Sequence, residues 1–480
     1  MQLRRSLQQL ARSRTCGGKV TSSVRRWCVG DALTLVCVQP KKSAKYACLF
    51  GGKSFIIGPR ITPLPDSLKN DSIYQGDDSG AAILEKQLAA EKDQAIHLIL
   101  WELCLRHPEV RDVCDLGQML LWNKRWAWWA TAVMFVLNNT FVQGIHVLVG
   151  AQYINTMTEF DSIGGCRTVQ FALVVTIAGW LVSLPRTFDV LSRLGAASAF
   201  FAFISVFLAT IFAGIQGKPP GYDLLTKGEP TVKAWPVHST TFVQCVSASL
   251  AMSFTFFGQI TLPSFIAEMR DPREFPKSLW ACTVAETITF SIVGVVIYAY
   301  TGDQYIVPLA FGSLHDLYKK ISFSFLMPTV LFLGCLYASV TTRFIFFRLF
   351  RDTRHTKDHT LVGWASWAGI LLTIWITAFI ISQVIPFFSS LLSVISSLFN
   401  SWFGLIFWGI AFFRMRHADH IIGRFRSPMS DYLLQAINVF IIAVGLFYLG
   451  AGTYASVEGI LDEFEAGTVR GVFQCKSDGL

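Results

Sequence analysis

Charged residues are scarce in this chain. Only 15% of its 480 residues are Asp, Glu, Lys or Arg, whereas 52% are hydrophobic. A soluble globular domain carries about a quarter charged residues, so this chain lacks the polar surface needed to face water on all sides. From Ala127 onward the apolar residues fall in long blocks, and about 20 apolar residues in a helix cross the ~30 Å core of a bilayer. The composition excludes a soluble protein and predicts an all-α polytopic membrane protein.

The sequence also lacks the motifs that enzymes and metalloproteins require. Its 11 cysteines include no CxxC pair and no Cys/His spacing suited to zinc, and those inside apolar blocks behave as small hydrophobic residues. No nucleophile–base arrangement, phosphate-binding glycine loop or nucleotide motif is present. We therefore expect no enzyme activity, no metal site and no cofactor. The net charge of +9 does not indicate a nucleic-acid partner, because the basic residues lie in short loops and in the N-terminal region.

Nine apolar blocks are long enough to cross a membrane. Trp and Tyr gather at several of their ends, where amphipathic rings favour the membrane–water interface; examples are Trp126, Trp128, Trp129, Trp364 and Trp367. The predicted spans are residues 127–150, 168–185, 195–216, 241–264, 278–301, 322–347, 361–385, 387–413 and 433–455.

The loops between the spans differ in positive charge. One alternating set contains 14 Lys and Arg residues and the other contains 6. Because cytoplasmic loops are enriched in Lys and Arg, the first set is predicted to be cytoplasmic. The N-terminus then lies in the cytoplasm, and the acidic tail at residues 457–480 lies on the opposite side. We expect the protein in the plasma membrane, with the vacuolar membrane as the alternative.

Residues 1–96 differ from the transmembrane domain predicted at 97–456. Seven Lys and Arg residues precede the first acidic residue, Asp31. That bias is compatible with a mitochondrial presequence or with a disordered cytosolic tail, and we favour the tail. The apolar runs at 29–38 and 46–58 are too short and too interrupted to span a membrane.

The fourth span contains a predicted break. Gly258 lowers the local helix propensity, and Pro263 removes the backbone hydrogen bond that would reach Gln259. Unpaired amides and carbonyls at such a break can bind a carboxylate, an ammonium group or an ion. The alternative is a simple proline kink, which membrane helices tolerate.

Polar and ionisable residues inside the spans are further candidates, since they are costly in a bilayer. Asn139, Gln143 and His146 lie at three- and four-residue steps and share one helix face. This face either lines a solute path or joins helices by hydrogen bonds, and the sequence favours neither. His146 and Glu286 are the candidates for carrying a coupling proton, although Glu286 also fits a structural hydrogen-bonded acid.

Six segments, in this order and at this spacing, resemble the amino acid/auxin permease family, and within it the neutral amino acid permeases of filamentous fungi. The resemblance covers about residues 98–456. The segments are LRHPEVRDVCDLG (Leu105–Gly117), LPRTFDVLSRLGAASAF (Leu184–Phe200), FGQITLPSFIAEMRDPREFPKSLW (Phe257–Trp280), RFIFFRLFR (Arg343–Arg351), IPFFSSLLSVISSLFNSWF (Ile385–Phe403) and GAGTYASVEGI (Gly450–Ile460).

The resemblance implies an inverted-repeat (5+5) transporter of eleven helices, with its substrate site between the broken first and sixth helices. It implies secondary transport of neutral, aliphatic or aromatic amino acids by proton symport, so that the amino acid, the proton and the lipid bilayer are the partners. The break at Gly258–Pro263 matches the sixth helix. The substrate-binding candidates are therefore Phe254, Thr255, Phe256, Gly258, Gln259, Thr261 and Pro263, together with Asn139 and Gln143.

The match also departs from the family pattern. Residues 127–150 correspond to the third helix and His97–Leu105 to the end of the second, so the first helix has no counterpart in this sequence. Half of the implied site would then be missing: either residues 1–96 are not the true N-terminal sequence, or the protein is a degenerate member with impaired transport. The alternative function is a non-transporting amino acid sensor or a degenerate permease-like protein. Gln383 stands where the resemblance leads us to expect an acid or a small residue, which argues against proton coupling at that position.

Overall fold

The computed structural model describes residues 98–473 except 109, 111, 159–166, 187, 234–239, 256, 270, 308, 352, 357, 422–427 and 467–470. The predicted N-terminal region, residues 1–96, lies outside the described residues, and so does the end of the acidic tail. Described residues are helical or in turns and loops, with no β-strand among them. In order, the helices are α1 (98–106), α2 (Val113–Leu120), α3 (Arg125–Thr158), α4 (Arg167–Ser183), α5 (Phe188–Gln216), α6a (Phe242–Thr255), α6b (Leu262–Glu268), α7 (Phe275–Tyr305), α8 (Asp316–Leu349), α9 (Leu361–Val384), α10 (Phe388–Ile421) and α11 (Pro428–Glu465).

Nine of these helices fall on the nine predicted spans. Seven are long and apolar enough to cross a membrane, and the two shorter apolar helices are α4 and α6a. Many of their outward side chains are large and hydrophobic, such as Val133 and Leu137 on α3, as expected for a surface in contact with lipid. The predicted all-α polytopic fold is confirmed. The last helix extends to Glu465, so the start of the predicted acidic tail belongs to α11.

The helices pack as an interleaved bundle rather than in sequence order. Helix α8 packs against α3 and α5, and α3 also contacts α4 and α9. Small residues permit these close approaches: a Cβ added at Gly179 of α4 would overlap the indole of Trp375 on α9. Helix α6a packs against α10 and α11, and these contacts position the break that follows it.

Two of the tryptophans predicted at the membrane interface are buried instead. Trp128 is 1% exposed and Trp367 is 2% exposed. The indole of Trp367 donates to the carbonyl of Leu184 at 3.1 Å, and the guanidinium of Arg348 lies 4.6 Å from the centroid of the Trp128 ring. Both rings therefore join neighbouring elements, whereas Trp126 and Trp129 are exposed as expected.

Candidate functional site

The predicted break is present as an interruption between two separate helices. Helix α6a ends at Thr255 and α6b begins at Leu262. Between them, the amide of Phe257 donates to the carbonyl of Phe254 at 3.0 Å, and the amide of Thr261 donates to the carbonyl of Gly258 at 3.2 Å. These are local turns, so the segment is more than a kinked helix.

Pro263 stands at the beginning of the second helix rather than inside a continuous one. It is the second residue of α6b, a position where the missing N–H costs nothing because helix N-terminal amides have no intrahelical acceptor. The hydroxyl of Thr261 donates to the carbonyl of Gly258 at 3.1 Å just before this helix. The sequence therefore forms a turn and a new helix start where the fourth span was predicted to break.

Gln259 folds back over the break. Its side chain is buried, at 2% exposure, and its Oε1 accepts from the amide of Gly258 at 3.1 Å. The same Oε1 lies 3.7 Å from the position that a Cβ would take on Gly404 of α10. Gln259 thus satisfies one backbone group at the break and lies at the contact with α10.

The space beside Gly258 is open. Apart from the chain neighbours Phe257 and Gln259, no described residue has an atom within 4 Å of a Cβ added at this glycine, although the residue itself is half-buried. Close to Gly258 in the sequence, the ring centroids of Phe254 and Phe257 lie 6.3 Å apart. The hydroxyl of Thr255 donates within α6a, to the carbonyl of Ala251 at 3.3 Å. Phe256 lies outside the described residues.

Of the two substrate-binding candidates on α3, Asn139 is hydrogen-bonded to α8. The Nδ2 of Asn139 donates to the hydroxyl of Thr341 at 3.1 Å, which is the interhelical hydrogen bond that was one of the two predicted roles. Gln143 is fully buried, and neither atom of its amide has a hydrogen-bond partner among the described residues. The bonds of Asn139 run to α8 and within α3, so they do not join it to the break in α6.

The two candidates for proton coupling lie on different helices. The Nδ1 of His146 is 2.8 Å from the carbonyl of Val142; because a carbonyl only accepts, Nδ1 carries the hydrogen, and in the neutral ring Nε2 keeps its lone pair. The His146 ring faces that of Tyr337 on α8, with centroids 6.0 Å apart. Glu286 lies half-buried on α7, where the thiol of Cys282 is 3.5 Å from its Oε1.

Asn400 of α10 is a contact of the broken helix that the sequence analysis missed. Its Nδ2 donates to the carbonyl of Ser253 at 3.0 Å and to the Ser253 hydroxyl at 2.7 Å. A buried asparagine inside an apolar span was the available signal, since polar groups in a bilayer need partners.

The chain is similar to known membrane proteins over most of its length. A family model described as "Transmembrane amino acid transporter protein" matches residues 101–458. A Neurospora crassa protein described as "N amino acid transport system protein" is 28% identical over 377 residues, which cover 78% of this chain and 77% of that protein. A Gibberella moniliformis "Transmembrane transporter" is 27% identical over 388 residues, covering 79% and 77% respectively.

A solved structure is also similar, at a greater distance. The crystal structure of MhsT in complex with L-phenylalanine matches with a TM-score of 0.44 and 12% identity, covering 77% of this chain and 89% of that one. A likeness of this degree supports no conclusion about the present chain.

Proposed function

The chain belongs to the transmembrane amino acid transporter family, and from this premise we propose that it moves neutral amino acids across a membrane by proton symport, with the break in α6 as the substrate site. Amino acid transport is the function of the family, and no sequence motif for catalysis accompanies it. The open space beside Gly258 is the single observation that carries the assignment of the site, because it adjoins backbone groups that leave the helical pattern.

The lack of charge around the break supports a neutral substrate. The segment from Ser253 to Pro263 contains no ionisable side chain. The C-terminal carbonyls of α6a carry partial negative charge, which suits the ammonium group that every amino acid has. A charged substrate side chain would need a further opposite charge, which this segment does not offer. The phenyl rings of Phe254 and Phe257 suit an aliphatic or aromatic side chain.

His146 and Glu286 are the proposed sites of proton coupling. His146 is the stronger candidate, because its Nδ1–H is engaged by a backbone carbonyl and its Nε2 lone pair can take up a proton. It also lies on the helix that carries Asn139 and Gln143, which we propose as further contacts along the solute path. Glu286 lies on α7, which packs against α5, so its coupling to the break would be indirect.

Uptake of labelled amino acids into proteoliposomes tests the proposal. We expect L-leucine and L-phenylalanine to accumulate when the vesicles have an inward proton gradient, and accumulation to collapse when an uncoupler is added. Gly258→Leu fills the open space with a side chain and should reduce uptake by about tenfold or more, since a loss of about 1.4 kcal/mol of binding corresponds to a tenfold loss of affinity. Gly369→Leu is the matched control, because a Cβ at Gly369 also meets no described atom within 4 Å but lies on the exposed face of α9.

The result distinguishes the transporter from the alternative function. Unchanged uptake by Gly258→Leu would remove the break as the substrate site. An absence of flux combined with a higher melting temperature in the presence of L-phenylalanine would support the amino acid sensor.

The protein is an integral multi-pass membrane protein. We propose the plasma membrane as its location, with the vacuolar membrane as the alternative, and an N-terminus in the cytoplasm. The excess of Lys and Arg in one set of loops supports this orientation.

A further inference from the structure

Helices α10 and α11 each contain a π-helical stretch, and the two stretches lie against one another. They span Ser396–Ile406 in α10 and Tyr448–Gly452 in α11, and both also pack against α6a. Wider π-helical turns are rare inside α-helices and are found mostly at functional sites. Here they adjoin the half of the broken helix that leads to the candidate substrate site.

Small residues allow this contact to be close. A Cβ added at Gly452 would lie 3.3 Å from the side chain of Leu250 on α6a and 3.4 Å from the Cβ of Ser397. The hydroxyl of Ser456 lies 3.5 Å from that of Ser397. Gly452 and the two serines let α10 and α11 approach closely beside Leu250 of α6a, and in a membrane such small residues permit interhelical hydrogen bonds.

Asn400 supplies such a bond where the broken helix needs it. In a continuous helix the carbonyl of Ser253 would accept from the amide of Phe257, but that amide donates to Phe254 instead. The Nδ2 of Asn400 takes its place at 3.0 Å and also reaches the Ser253 hydroxyl at 2.7 Å. Asn400 is 3% exposed, so this bond forms in a site where an unpaired carbonyl is costly.

Gly404 makes room for the Asn400 side chain. A Cβ added at Gly404 would overlap the Oδ1 of Asn400 one helical turn away. Any larger residue at this position would push the amide from its place beside Ser253. Two residues of α10, separated from the break by more than a hundred positions in the chain, thus fix the end of α6a.

We propose that Asn400 is a positioning residue for the substrate site. It acts through the Ser253 carbonyl, and Gly404 acts through Asn400. The pair determines where α6a ends, and so orients the backbone groups of the break toward the open space beside Gly258. This inference rests on the proposed function for its effect on transport, but its structural part is independent of transport.

Four single variants and one double variant test the proposal. Asn400→Ala removes both hydrogen bonds and should raise KM for L-phenylalanine by about tenfold with little change in turnover at saturation, because a lost hydrogen bond of ~1.4 kcal/mol corresponds to that factor. Gly404→Ala should raise KM similarly. The double variant Asn400→Ala/Gly404→Ala should be no worse than Asn400→Ala alone, since the two residues act as one unit.

The matched controls lie on α11. Asn438 is also a buried asparagine, but its Nδ2 donates to the carbonyl of Leu434 in its own helix. Gly450 lies in the second π-helical stretch, and no described atom is within 4 Å of a Cβ added there. Asn438→Ala and Gly450→Ala should leave KM unchanged.

Hydrogen exchange of the purified protein, followed by mass spectrometry, provides a second measurement that needs no transport. Asn400→Ala should speed exchange in the peptides covering residues 253–262, and Asn438→Ala should not. Equal KM and equal exchange in the parent chain and Asn400→Ala would overturn the inference, and so would fully additive effects of the two α10 substitutions. If the parent chain shows no uptake, the proposed function fails, while the exchange rates still decide the role of Asn400.

Discussion

Gly302 shows how a single residue fixes a connection at the end of a span. Near the end of α7 its backbone has φ 60° and ψ −177°, a combination that is essentially limited to glycine. The loop that follows α5 docks against this point: the amide of Asp303 donates to the carbonyl of Thr231 at 3.0 Å, and the Thr231 amide donates to Oε1 of Gln304 at 3.0 Å. A Cβ at Gly302 would lie 2.6 Å from the amide nitrogen of Thr231.

Gly302→Ala should therefore destabilise the protein by about 1–3 kcal/mol, the cost of a strained backbone conformation. The measurement is the midpoint of thermal unfolding in detergent. Gly294→Ala in the same helix is the control, because a Cβ there meets no described atom within 4 Å and alanine is favoured over glycine inside a helix by about 0.5–1 kcal/mol. A midpoint for Gly302→Ala equal to that of Gly294→Ala would show that the loop is not held at this glycine.

Residues whose role is local could be predicted from the sequence, and those whose role depends on another helix could not. Gly258 and Pro263 indicate a break because glycine and proline act on their own backbone. Asn400 acts on Ser253, 147 residues away in the chain, and nothing in a single sequence joins the two. The proposed roles of Asn139, Gln143, His146 and Glu286 remain predictions.

At the scale of elements, the short helix α2 is held at both ends by arginines from other helices. Its N-cap residue Asp112 accepts from the amides of Cys114 and Asp115 and pairs with Arg348 of α8 at 2.9 Å. At the other end, Arg414 of α10 donates to the carbonyls of Met119 and Leu120. The negative residue lies at the N-terminus and the cation at the C-terminus, so both complement the helix dipole.

Arg348→Ala should loosen α2. The Arg348 and Asp112 side chains are 22% and 9% exposed, so we expect a loss of about 1–3 kcal/mol, below that of a fully buried pair. Cys114 reports the change: burial, with a contribution from Asp112, raises the pKa of its thiol, and the thiol should react with a maleimide only when α2 opens. The measurements are the thermal midpoint and the labelling rate of the peptide that contains Cys114.

Two further variants, one in α8 and one just after its end, help to interpret that result. Arg348→Lys keeps the charge but not the planar stacking over Phe344, where the guanidinium carbon lies 3.7 Å from the ring centroid, so it should restore only part of the protection. Arg351→Ala alters an exposed side chain and should leave the labelling rate unchanged. Equal rates for Arg348→Ala and Arg351→Ala would mean that other contacts hold α2.

The number and order of the spanning helices could be predicted, because a block of about 20 apolar residues is a local property of the sequence. The ends of some helices could not be predicted, such as that of α3 at Thr158 rather than residue 150, since helix boundaries depend on caps and packing. The burial of Trp128 and Trp367 could not be predicted either. An indole at the end of a span reaches lipid headgroups or a neighbouring helix according to what packs beside it.

At the scale of the whole molecule, the pairing of the helices could not be predicted from the sequence. The pairing of α8 with α3 and α5, and of α6a with α10 and α11, joins segments far apart in the chain. In α3, α5 and α8 hydropathy is nearly the same on all faces, so it does not select their partners. In a membrane, small residues and buried polar bonds select them, as Gly179 against Trp375 and Asn400 against Ser253 illustrate.

Orientation in the membrane is a property of the whole molecule that one experiment can decide. The distribution of 14 against 6 Lys and Arg residues predicts that the α8–α9 loop is cytoplasmic and that the α5–α6a loop is on the other side. Arg354 and Leu225 are exposed in these two loops.

In sealed microsomes, whose cytoplasmic face is outward, Arg354→Cys should react with an impermeant maleimide at once, and Leu225→Cys only after the membrane is permeabilised. Peptide-resolved mass spectrometry separates these sites from the native cysteines. The opposite pattern would invert the protein in the membrane and place its N-terminus outside the cytoplasm. Because microsomes present the same face for every compartment of the secretory pathway, the result holds for either proposed membrane of residence.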